Sequence, residues 1–79
     1  MPSARFLTPE VANRRFAENL RRHRERAGMT QEELADAAQL HRTAISFLER
    51  AAREPRMWTL ITLARALRIR PADLLDGIR

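Results

Sequence analysis

The 79-residue chain has no cysteine, no lysine and no tyrosine, and only two glycines and two histidines. Without cysteine there is no disulfide and no thiolate chemistry, which suits a reducing compartment. His23 and His41 are too few for a zinc site, and Gly28 and Gly77 stand too far apart to form a loop that cradles a phosphate. Ser46 and His41 would lie about 140° apart around a helix, so they cannot meet as nucleophile and base. Glu32 and Glu33 read as acids at a helix start rather than as a catalytic pair. No apolar run approaches the ~20 residues needed to span a bilayer, and residues 1–8 lack a signal-peptide core. These absences predict a cytoplasmic protein that binds rather than catalyses, with no metal and no cofactor.

Scarce glycine and proline, no alternating strand pattern, and abundant Ala, Leu, Arg and Glu together favour an all-α chain. A domain of this length buries only about 60% of the surface its unfolded chain exposes, which leaves no room for a large cavity. The expected organisation is a flexible tail over residues 1–8 and one domain over 9–79.

Fifteen cations, all arginine, stand against ten acids, for a net charge of +5. A composition bias toward arginine explains the lack of lysine but not where the charge sits. Residues 1–28 carry seven arginines against three acids and residues 49–79 seven against four, whereas 29–48 carry one against three. Two basic flanks bracket an acidic middle. A basic domain of this kind favours polyanions, because association with a phosphate backbone releases counterions.

Thr8-Pro9-Glu10 supplies a cap, a proline at the first helical position and an acid near the positive dipole end, which predicts helix 1 over 9–26, ending at Gly28. Its expected buried stripe is Phe16, Leu20 and Ala27, with Ala12 at its edge. Arg24 falls on the same stripe. Thr30 with Glu33 forms a capping box, and Met29 with Leu34 a hydrophobic staple, placing helix 2 over 31–38. Helix 3 is expected over 42–50, capped by His41 or Thr43, with Ile45, Leu48 and Ala52 inward. Glu49 lies beside that face, so Arg24 and Glu49 are expected to form a partly buried ion pair. Pro55 breaks the chain before helix 4 (57–67), whose inner face is Leu60, Leu63, Ala64 and Leu67. Pro71 opens a short helix 5 (71–76) that buries Leu74.

The outward positions of helix 3 are Arg42, Thr43, Ser46, Phe47 and Arg50, flanked by His41. Arginine can bond guanine in two places, Ser and Thr can bond several bases, and a phenyl ring can touch a thymine methyl. An exposed phenyl at Phe47 needs shielding by a loop, a partner protein or a nucleic-acid groove, unless local rotation of the helix packs it into the core.

Arg24, the run Gly28-Met29-Thr30-Gln31-Glu32-Glu33-Leu34-Ala35, Ile45-Ser46, Glu49-Arg50, Pro55, Leu60 and Ala64 to Leu67 together resemble the Cro/C1-type, or XRE, family of helix-turn-helix DNA-binding regulators. The resemblance covers about residues 16–75. It implies a five-helix, lambda-repressor-like domain with the helix-turn-helix at helices 2 and 3. It also implies that His41, Arg42, Thr43, Ser46 and Phe47 contact bases, that Gln31, Arg50, Arg53 and Arg56 contact phosphates, and that Arg24 pairs with Glu49. Two positions depart from the family pattern. Gln39 replaces glycine in the turn, at a cost of about 1–2 kcal/mol if the left-handed backbone is kept. Ala51 replaces glycine after Arg50, which permits helix 3 to run on and displace Arg53.

Relatives of this size usually bind two-fold symmetric double-stranded operators as homodimers. Trp58, Ile69, Leu74 and Ile78 are the interface candidates, with Trp58 alternatively capping the loop between helices 3 and 4. The resemblance thus implies a repressor or an autoregulator such as a restriction-modification controller, with no small-molecule effector. An antitoxin of the same fold, or a protein-interaction module that does not read DNA, is the alternative.

Overall fold

In the computed structural model, residues 7–79 are described, so most of the expected tail lies outside the described residues. Five helices follow in order: α1 (Pro9–Arg26), α2 (Gln31–Ala38), α3 (Arg42–Glu49), α4 (Met57–Leu67) and α5 (Pro71–Leu74). No strand occurs among the described residues, and none of these helices is long and apolar enough to cross a membrane.

The helix starts follow local chemistry. Thr8 Oγ1 accepts from the Val11 N–H at 3.1 Å, with Pro9 in the first turn of α1. At α2, Thr30 Oγ1 accepts from the Glu33 N–H at 3.0 Å, and Glu33 Oε1 accepts from the Thr30 N–H at 2.8 Å. This reciprocal box satisfies two donors that the helix itself leaves unpaired. His41 precedes α3 without any side-chain capping bond, contrary to the expected cap.

The helix ends share a different device. Each of α1 to α4 closes on a residue with positive φ: Gly28 (71°), Gln39 (58°), Ala51 (58°) and Arg68 (59°). In every case the next N–H reaches back five residues: Met29 to Arg24, Leu40 to Ala35, Ala52 to Phe47 and Ile69 to Ala64, at 2.8–3.1 Å. That is the Schellman ending, which glycine serves best because it has no Cβ to clash. Met29, Leu40 and Ile69 then pack against the core, and this docking compensates the left-handed strain at Gln39 and Arg68. Helix 3 therefore stops at Glu49 instead of running on, and the turn at Ala51 leaves Ala52 exposed, not inward. Ala27 is likewise exposed, because it caps α1 beyond its buried stripe. Helix 5 is shorter than expected and ends at Leu74.

Helix α1 packs on α3 and α5, α2 on α3 and α4, and α4 on α5. Phe16, Leu20, Leu34, Ile45, Leu48, Leu63, Leu67 and Leu74 meet between them, with Ala35, Ala38 and Ala64 where the backbones approach. Full burial of each large side chain contributes roughly 1.5–3 kcal/mol. Leu74 is 0% exposed, which removes it from the expected dimer interface: it belongs to the core that fastens α5.

Candidate nucleic-acid interface

Helix α3 divides into two faces. Ile45 and Leu48 point into the core, while His41, Arg42 and Thr43 are exposed and Ser46 and Phe47 half-buried. Four of the five expected base-contacting side chains are polar, and they share the outer face and the first turns of one helix.

The end of this helix is fixed by charge. Glu49 has a side chain 0% exposed, and its Oε2 accepts from Arg24 Nε at 2.6 Å. Its Oε1 accepts from Arg24 Nη2 at 3.0 Å and from Gln31 Nε2 at 3.1 Å. Arg24 Nη1 donates to the Met29 carbonyl at 2.8 Å, so one guanidinium joins the end of α1, the following turn and the end of α3. Bidentate pairing of this kind is directional and about twice as strong as a neutral hydrogen bond. Hydrogen bonding to Glu49 holds the Arg24 pKa above its ordinary value, outweighing the opposing effect of burial. Arg21 adds a looser contact to Glu49 Oε1 at 3.7 Å from a side chain 55% exposed, a geometry that contributes little.

Gln31 thus occupies a dual position. It stands at the first position of α2, lines a shallow depression with Arg24, Thr30, Glu32 and Arg42, and spends one donor on Glu49. The depression brings the start of α2 beside the start of α3, with Arg42 on its wall. Two helix N-termini favour negative charge there.

The remaining expected phosphate residues lie at the other end of α3. Arg50 and Arg53 both stand over the Phe47 ring, their Cζ atoms 5.0 and 4.5 Å from its centroid. Phe47 is therefore neither packed into the core nor bare. Arg56 is exposed and immediately precedes α4.

The expected dimer residues separate in the fold. Trp58 is 65% exposed, whereas Ile69 and Ile78 are half-buried and already packed against the core. Met57, not singled out from the sequence, is an exposed apolar residue as well, and so is Leu75, a candidate for burial beside Leu74 in the helix 5 pattern. Sequence reasoning also missed Asn19, buried on α1, whose Nδ2 donates to the Leu74 carbonyl at 3.0 Å and the Asp76 carbonyl at 2.9 Å. Its only local signal is position, three residues after Phe16 and next to Leu20 on one helix face.

The helix-turn-helix family profile (HTH_3) matches residues 20–74. The control protein C.SmaI of Serratia marcescens is 46% identical over 52 residues, which cover 66% of this chain and 62% of that protein. The chain thus matches less than two thirds of that relative's length. The crystal structure of the restriction-modification controller protein C.AhdI from Aeromonas hydrophila superposes with a TM-score of 0.77 at 34% identity, covering 78% of this chain and 94% of that one. The P22 c2 repressor, solved in complex with a synthetic operator, gives a TM-score of 0.73 at 32% identity over 78% of this chain and 94% of its own.

Proposed function

The chain belongs to the helix-turn-helix family, and from that premise we propose that it is a sequence-specific DNA-binding regulator that reads the major groove with α3. The observation that carries the reading is the exposed polar first turn of α3, held by the buried Arg24–Glu49 pair at its far end. Arg42 and Thr43 are the principal base contacts, with His41 and Ser46 at the edges of the set. Gln31, Arg50, Arg53 and Arg56 grip phosphates on either side, which sets register without specifying sequence. The partner in this reading is double-stranded DNA, and the proposed location is the cytoplasm.

Likeness to C.SmaI and C.AhdI favours a restriction-modification controller among regulators. In that role the protein acts as a homodimer on a two-fold symmetric operator, because one short reading helix contacts too few base pairs to define a site. Trp58 on the first turn of α4 is the best-placed anchor for the second copy, being large, aromatic and exposed.

Selection of bound duplexes from a random pool tests the reading. A single enriched palindromic motif is expected, with affinity falling steeply as salt rises. Arg42→Ala should cost about 1–3 kcal/mol at one base step in each half-site while leaving the salt slope nearly unchanged. Equal, weak binding of selected and random duplexes would overturn the proposal.

A further inference from the structure

Phe47 is the large apolar residue of α3 that the core does not take up, and two exposed cations cover it instead. Both guanidiniums stand within the ~6 Å at which the negative face of an aromatic ring attracts a cation. Arg50 reaches the ring from the next helical turn. Arg53 reaches it only because the chain reverses at Ala51, where φ is 58° and the Ala52 N–H donates to the Phe47 carbonyl at 2.9 Å. Had the helix continued, Arg53 would sit about 9 Å further along the axis and roughly 120° away around it.

Two guanidiniums gathered on one ring repel each other, and neither has a carboxylate partner among the described ion pairs. The ring offsets part of that repulsion; Arg50 Nε also donates to the Ser46 carbonyl at 3.4 Å, which leaves its terminal Nη groups for a phosphate. We propose that Phe47 is a positioning residue: an aromatic post that presents Arg50 and Arg53 together as a clamp for one or two phosphates of the DNA backbone. This rests on the DNA-binding reading above and replaces the sequence expectation that Phe47 contacts bases, since a ring covered by arginines is not free to meet a thymine methyl. The Ala51 turn gains a purpose as well, because it delivers the second arginine.

The first arm of the test uses the free protein. Ring currents from Phe47 should move the δ-methylene protons of Arg50 and Arg53 upfield in NMR spectra, and Phe47→Leu should return them to ordinary positions. The second arm uses DNA. Phe47→Leu keeps an apolar side chain able to touch a methyl group but has no ring face. It should weaken binding to selected and random duplexes by the same factor, about 5- to 10-fold, with a shallower salt dependence. Phe47→Tyr should restore both affinity and slope, and Arg53→Ala should matter less when combined with Phe47→Leu than in the parent chain.

Unshifted arginine protons in the parent protein would overturn the proposal. So would loss of base preference on Phe47→Leu with an unchanged salt slope, which would make the ring a reader of bases. If the parent chain fails to distinguish selected from random duplexes, the regulator reading falls, while the proton shifts still decide whether the post exists.

Discussion

Replacing Glu49 by glutamine tests how the reading helix is held, because the two side chains share a shape and differ in charge. Glu49 accepts three hydrogen bonds on two oxygens: one from Arg24 on Oε2, and one each from Arg24 and Gln31 on Oε1. Glutamine keeps one oxygen and turns the other into a donor. Either amide orientation then sets N–H against N–H, at Arg24 Nε or at both Arg24 Nη2 and Gln31 Nε2. The Arg24 charge, on a side chain only 13% exposed, is left without its partner. Breaking one half of a buried pair costs about 3–5 kcal/mol, and the residual exposure of Arg24 places the expected loss near the lower figure. For a domain of this size, ~1 kcal/mol shifts the melting midpoint by about 4–8 °C, so Glu49→Gln should lower it by at least about 12 °C. Circular dichroism melts of Glu49→Gln, Arg24→Gln and the double variant would complete a cycle, with the double variant much less damaged than the sum of the singles. A shift for Glu49→Gln below about 4 °C would give the pair the worth of an exposed surface bridge and refute the argument.

Gln39→Gly should stabilise the protein by about 1 kcal/mol, read as a higher melting midpoint, because Gln39 holds a positive φ that glycine adopts without strain. Asn19→Ala leaves the Leu74 and Asp76 carbonyls without their donor and should cost about 2–3 kcal/mol in urea unfolding. Asp73 sits in α5 with its carboxylate accepting from the Arg70 N–H at 2.9 Å, a bond that lowers its pKa below the ordinary aspartate value. A depressed folded-state pKa stabilises the fold above the ordinary value and loses that contribution as pH falls through the depressed one. The difference in melting midpoint between the parent chain and Asp73→Asn should therefore be constant near neutrality and close in acid. Trp58→Ala should convert a dimer into a monomer in sedimentation velocity; an unchanged dimer removes Trp58 from the interface.

Legibility in the sequence follows the range of the interaction. Helix starts at Thr8 and Thr30 are written in three or four adjacent residues, and the structure has α1, α2 and α4 over the ranges their patterns predict. The helix-turn-helix itself is readable from its apolar spacing and its resemblance to a known family. Helix ends are harder. Gly28 announces its turn, but Gln39, Ala51 and Arg68 adopt the same geometry without glycine, since what fixes two of them is the docking of Leu40 and Ile69 on the core. Composition carries no sign of that. Asn19 is invisible for the same reason: its acceptors are backbone carbonyls 55 and 57 residues away. Leu74 is read from the sequence both as a buried residue of helix 5 and as an interface candidate, because an apolar residue on a short helix looks alike in either role, and packing decides for the core. At Phe47 the chain offers several ways to cover a ring, and arginines within the sequence supply the cover.

Helix α3 has eight residues and no side-chain cap at its start. A helix that short is not stable alone, so its conformation depends on what it is packed against. Ile45 and Leu48 give it a greasy seat, but dispersion contacts on one side of a short helix resist sliding and rotation only weakly. The two-pronged bond from Arg24 to Glu49 resists both, because a rotation of the helix breaks one prong before the other and a slide breaks both. Arg24 is in turn held by the Met29 carbonyl, and Gln31 ties the start of α2 to the same carboxylate. Arg24 and Gln31 therefore share one carboxylate, with Met29 tied in through Arg24, at the base of the helix whose outer face carries Arg42 and Thr43. An apolar pair of the same volume could match the stability of this arrangement, as buried ion pairs often permit. It would not supply the directional constraint, and if α3 presents side chains in fixed register to base edges, as proposed, that constraint is what the buried charge contributes.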